Sequence, residues 1–186
     1  LVEEKTNKII EILAASIPID AIFLGKLFAM LAMAFVGIAV WAGTGALAGL
    51  ALGAALPALP PPAVGWPIFL LLCVVYFSTA YLLLGSLFLG IGAMAATVRE
   101  VQTLSMPVTM GQLLIFFFAS YTLPRLGQPI EIVATLIPFS SPFAMLARAA
   151  QLPALWPHVL ALLWQGIWTW AIIRLGTGLF RRNVLK

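Results

Sequence analysis

Charge, cysteine and histidine are all scarce here: 9% of the 186 residues are Asp, Glu, Lys or Arg, and there is one cysteine and one histidine. A single cysteine excludes a disulfide framework within the chain, and with one histidine there is no Cys/His cluster for a structural metal. The redox compartment is unreadable for the same reason. The acidic residues Glu3, Glu4, Glu11, Asp20, Glu100 and Glu131 all fall outside the long apolar runs. No carboxylate is thus available mid-membrane as the proton or ion relay that many secondary transporters use. A Gly-x-x-x-x-Gly-Lys-Ser/Thr phosphate loop is missing too, since Gly25-Lys26 lacks the upstream glycine and is followed by Leu27. A contiguous basic face, the footprint of nucleic-acid binding, is absent as well.

What is present is apolar. The hydrophobic fraction is 63% and the mean hydropathy +1.11, against roughly 45–50% apolar residues in globular domains. This excludes disorder and points to a polytopic membrane protein. Between Lys26 and Arg99 there is no Asp, Glu, Lys or Arg, a run with room for two crossings of about 20 residues each and a turn. Val101–Pro124 and Ala149–Ile173 are further uncharged runs. Phe69-Leu70-Leu71-Leu72-Cys73-Val74-Val75 is apolar at consecutive positions, where an outer-membrane strand would alternate. The expected fold is therefore all-α, with transmembrane helices over 27–52, 66–92, 106–123 and 158–180. Pro107 is placed in the first turn of the third, a tolerated position.

An amphipathic helix is expected over Glu3–Ile17, because Val2, Ile9, Leu13 and Ile17 recur on one face while Glu3, Glu4, Lys8 and Glu11 take others. Pro18 stops it, so residues 1–18 form a surface segment. The chain opens on Leu1 with a charged stretch unlike a signal peptide, and reads as a piece of a longer protein. From 124 to 157, Pro124, Pro129, Pro138, Pro142, Pro153 and Pro157 cut the apolar text into pieces too short to span. Ile132–Ile137 and Pro142–Ala150 are expected as short helices of a re-entrant hairpin, which lipid permits only where protein or water satisfies the broken backbone. With four crossings, Lys5, Lys8, Lys26, Arg99, Arg174, Arg181, Arg182 and Lys186 share one face and Arg125 and Arg148 the other. The positive-inside rule then puts both ends in the cytoplasm.

Few residues suggest chemistry. Ser86 and His158 would make a Ser–His pair for an intramembrane hydrolase, although a glycine–serine step and an interfacial histidine have structural explanations. Gly45, Gly49 and Gly53 follow one another at i+4 and permit close helix approach, either within the chain or across a dimer seam. An ATP-independent transporter or channel is a further alternative. Apolar crossings suit a lipid-like or amphiphilic cargo.

The chain resembles the permease subunits of type-2 ABC exporters, in the branch similar to bacterial sodium-efflux permeases. The resemblance is carried by Glu3-Glu4-Lys5-Thr6-Asn7-Lys8-Ile9-Ile10-Glu11-Ile12-Leu13 and by Leu24-Gly25-Lys26 at the head of a crossing. Arg99-Glu100-Val101-Gln102 before Ser105-Met106-Pro107, then Ile137-Pro138-Phe139-Ser140-Ser141-Pro142-Phe143 and Phe180-Arg181-Arg182, continue it. It implies a six-crossing permease of the bacterial inner membrane whose first helix, extracytoplasmic insertion and second helix lie upstream of Leu1. It further implies that the amphipathic segment couples to a separate ATP-binding-cassette subunit, with Glu3, Glu4, Lys5, Lys8 and Glu11 as contacts, and that the proline-rich segment is extracellular and re-entrant. ATP and Mg would be bound by that partner, with no cofactor held by this chain. A second permease chain would complete the pathway.

Overall fold

The computed structural model describes residues 16–51 and 60–184. Six helices account for most of them: α1 (Ile19–Ala51), α2 (Trp66–Met94), α3 (Val98–Thr122), α4 (Pro129–Leu136), α5 (Ser141–Gln151) and α6 (Trp156–Val184). α1, α2, α3 and α6 are long and apolar enough to cross a bilayer. They run alternately up and down, so one end of the bundle gathers the C-termini of α1 and α3 with the N-termini of α2 and α6. The short pair α4–α5 belongs to that end.

Two helices begin earlier than the apolar text suggests. α1 starts just after Pro18, whose carbonyl accepts from Ala21 N at 2.9 Å, and Asp20 occupies the first turn, where a negative charge meets the positive end of the helix dipole. α3 starts at Val98, which puts Pro107 inside the helix rather than in its first turn. The start is set by the pattern Thr97-Val98-Arg99-Glu100: Thr97 Oγ1 accepts from Glu100 N at 3.2 Å and Glu100 Oε2 accepts from Ala96 N at 2.7 Å. This is nearly the reciprocal arrangement of a capping box. Pro107 brings no N–H to the ladder, and a chain of Ser and Thr hydroxyls flanks it, with Thr103 donating to Arg99 O, Ser105 to Val101 O and Thr109 to Ser105 O.

The α2–α6 pair is the most extensive packing in the fold. Near the ends remote from α4–α5, Phe23, Leu27, Leu89, Ala93 and Phe180 form one core cluster. Glycine makes that crossing possible, because a Cβ on Gly176 would lie 3.0 Å from Ser86 O and 2.9 Å from Phe23 Cζ. Asp20 and Arg181 close the same end with a 2.6 Å ion pair. A second cluster of Val64, Leu72, Tyr76, Met145 and Ala149 joins α2 to α5 at the hairpin end.

Candidate functional site: a pinned hairpin at one end of the bundle

The α4–α5 hairpin is short because its prolines and glycines make it so. Pro129 is the first residue of α4 and Pro142 the second of α5, both in a first turn where the missing N–H is not needed. At Gly127 the backbone takes φ +79°, a region that residues with a Cβ avoid. This aims the Gly127 N–H back at Glu131 Oε2, 3.1 Å away. Glu131 is only 1% exposed, and its carboxylate also accepts from Arg148 Nη1 at 2.7 and 2.9 Å, which ties α4 to α5. A buried carboxylate needs such pairing, since leaving it unpaired in a low dielectric is costly.

Main-chain contacts hold the base of the hairpin level with the ends of the long helices. Ala63 N donates to Ala150 O at 2.9 Å and Val64 N to Ala149 O at 3.3 Å, just before α2 begins. Gln151 Nε2 reaches Leu123 O at 3.2 Å beside the end of α3. The tip is pinned elsewhere: Trp164 Nε1 donates to Leu136 O at 2.7 Å and Gln165 Nε2 to Pro138 O at 2.8 Å. Gln165 lies about 13 Å along α6 from Trp156 at the α-helical rise, nearly half of a hydrocarbon core about 30 Å thick. α4 and α5, of 8 and 11 residues, are of matching length, about 12 and 16 Å. Between base and tip, Ser140 Oγ donates to Ala134 O at 2.6 Å and caps the end of α4.

Two further features flank the hairpin. Tyr76 and His158 are buried and joined through Tyr76 Oη and His158 Nδ1 at 3.0 Å, linking α2 to α6. Beside them, Tyr76, Phe77, Tyr81, Leu84, Phe143 and Leu146 line an almost wholly apolar cleft of about 240 Å³ between α2 and α5. An apolar cavity of that size with no converging polar groups can admit a hydrocarbon chain but offers no means of bond cleavage.

The Ser86–His158 pair is not assembled. Ser86 lies about 15 Å further along α2 than Tyr76, its hydroxyl is spent on Leu82 O at 2.7 Å, and its carbonyl faces Gly176. Gly176 is in turn about 27 Å along α6 from His158 at the helical rise. The hydrolase alternative is therefore corrected: the serine packs one end of the α2–α6 crossing and the histidine the other. Glu3, Glu4, Lys5, Lys8 and Glu11 lie outside the described residues, as does Gly53. Gly45 has nothing within 4 Å of its Cβ direction, and Gly49 is partly buried. No group of three or more His, Cys, Asp or Glu able to hold a metal occurs among the described residues. Sequence reasoning missed the ties made by Tyr76, Trp164 and Gln165; a glutamine within an otherwise apolar crossing was the available signal.

Four helices long and apolar enough to cross a bilayer, with a short helical hairpin packed at one end of them, define a polytopic helical membrane protein. The chain belongs to the ABC-2 family transporter proteins, which it matches over residues 1–175. It is a membrane component of that family, and its sequence carries no ATPase motif. It is similar to the uncharacterized protein MJ1024 of Methanocaldococcus jannaschii, at 24% identity over 156 residues, covering 82% of this chain and 36% of that protein. The chain thus spans about a third of the length of that relative. No solved structure matches it significantly.

Proposed function

We propose that this chain forms part of the translocation pathway of an ATP-driven exporter, in the branch similar to bacterial sodium-efflux permeases, with ATP hydrolysed by a separate ATP-binding-cassette subunit. The single observation that carries the reading is the family match across residues 1–175. In this reading Glu3–Ile17 is the coupling segment, and Glu3, Glu4, Lys5, Lys8 and Glu11 are its contacts with the ATPase. Closure of two ATPase subunits around nucleotide pushes on that segment, and the rigid crossings pass the tilt to a pathway between two permease chains, an exchange between discrete arrangements.

The orientation has independent support. Among the described residues, Lys26, Arg99, Arg174, Arg181 and Arg182 lie toward one end of the bundle and Arg125 and Arg148 toward the other, so the hairpin end is the extracytoplasmic one by the positive-inside rule. The depth reached by the hairpin tip against Trp164 and Gln165 supports a re-entrant segment over residues 124–157. The open surroundings of Gly45 suit close approach of another helix along Gly45, Gly49 and Gly53, in this permease or its dimer mate.

The coupling role is tested by Glu3→Lys with Glu4→Lys in the full-length protein. Co-purification of the ATPase is expected to fall, together with transport-stimulated ATP hydrolysis. Unchanged association and unchanged stimulation would remove the coupling role.

A further inference from the structure

The end of the bundle remote from the hairpin has an opening that the export reading does not use. Here the first turns of α1 and the last turns of α6 line a cleft of about 720 Å³ whose wall includes Asp20, Trp170, Arg174, Arg181 and Arg182. Trp170, Arg174 and Arg181 share one face of α6, because their separations match one and then two helical turns. With Arg182, three guanidinium groups and one carboxylate line the cleft, and that carboxylate is engaged by Arg181 at 2.6 Å. The Arg174 guanidinium lies 5.3 Å from the centre of the Trp170 ring. It sits about 10 Å closer to the bilayer centre than Arg181 at the helical rise, within the apolar span Trp156–Arg182.

We propose that this cleft binds the headgroup of an anionic phospholipid. Planar guanidinium groups pair with phosphate oxygens through parallel N–H donors, and basic pockets between transmembrane helices are suited to such headgroups. The cleft is amphiphilic, which selects a lipid over a soluble anion: Leu24 and Ile173 form apolar wall beside the arginines, so a phosphate drawn in by the positive field of Arg174 and Arg182, about 12 Å apart along α6, leaves its acyl chains against α1 and α6. Trp170 is 62% exposed and lies one turn deeper in the span than Arg174, at the level of acyl chains rather than headgroups. The lipid phosphate supplies the anion that Asp20, committed to Arg181, does not.

Trp170 provides the readout. The full chain is reconstituted with phosphatidylglycerol or phosphatidylcholine carrying dibrominated acyl chains, and quenching assigned to Trp170 is taken as the difference between the native protein and Trp170→Phe. Brominated phosphatidylglycerol is expected to quench this component at a several-fold lower mole fraction than brominated phosphatidylcholine. Arg174→Gln and Arg182→Gln should each weaken that preference about five-fold, while Arg125→Gln at the opposite end leaves it unchanged. Inorganic phosphate is the competing arm, and relief of quenching by phosphate at millimolar concentration would assign the cleft to a soluble anion and overturn the proposal. Equal quenching by the two lipids, or a preference that survives both arginine substitutions, would do the same. The comparison of headgroups needs only Trp170→Phe to fold, a replacement at a ring that is 62% exposed.

Discussion

The Glu131–Arg148 pair sets the stability of the hairpin, and the size of its contribution follows from burial. Glu131 is 1% exposed with its carboxylate oxygens engaged by Arg148 Nη1 at 2.7 and 2.9 Å and by the Gly127 N–H, whereas the Arg148 side chain is 21% exposed. Removing one partner of a buried pair costs about 3–5 kcal/mol. Because Arg148 keeps some access to its surroundings, Glu131→Ala should sit near the lower limit, about 3 kcal/mol. Glu131→Gln keeps an acceptor for Gly127 and loses the charge, so about 1–2 kcal/mol is expected. Replacing both residues, Glu131→Leu with Arg148→Met, leaves no stranded charge and should recover most of the loss.

The opening of the hairpin can be read directly. In a Cys73→Ala background, Ala144→Cys places a lone thiol on α5 at a position that is 1% exposed. Labelling under conditions of rapid reclosing reports the opening equilibrium. A loss of about 3 kcal/mol corresponds to labelling about a hundred-fold faster, and the double replacement should return most of the way. If Glu131→Ala and Arg148→Met each accelerate labelling less than about three-fold, the pair is worth no more than an exposed one, about 0–1 kcal/mol, and the assignment of the hairpin's stability to it is wrong.

Other outcomes follow from the same geometry. Gly176→Ala drives a methyl against Phe23 and the Ser86 carbonyl and should destabilise the α2–α6 crossing by about 1–3 kcal/mol, measured by titration unfolding in mixed micelles. Gly45→Ala, with open space around it, should have no such effect on the isolated chain. Gln165→Leu and Trp164→Phe each remove one hydrogen bond to the tip, worth about 0.6–1.7 kcal/mol in a membrane interior, and should speed Ala144→Cys labelling by about three- to fifteen-fold.

Sequence alone made the spans legible because hydrophobicity over about 20 residues is set by bilayer thickness and needs no knowledge of partners. The prolines from Pro124 to Pro157 announced the short helices for an equally local reason, since each removes an N–H. The start of α3 at Val98, before the expected 106, is hidden from hydrophobicity by the charges of Arg99 and Glu100. The Thr97–Glu100 spacing in the same four residues was the cap that begins the helix. The ties of the candidate site were illegible for a different reason. Glu131 to Arg148, Tyr76 to His158 and Gln165 to Pro138 are long-range pairings. Nothing in the local pattern says which polar residue meets which, and charge counting passed over Gln165 because it carries none.

The way α6 grips the tip has a consequence for variation. Trp164 and Gln165 take hold of the carbonyls of Leu136 and Pro138, groups that every amino acid carries. Substitution in the turn can therefore change what the hairpin shows to its surroundings while the anchor stays fast. A library randomised at Leu136 and Phe139 should yield many folded transporters, and one randomised at Trp164 and Gln165 few. Diversity and fixity are thus assigned to opposite partners of a single contact.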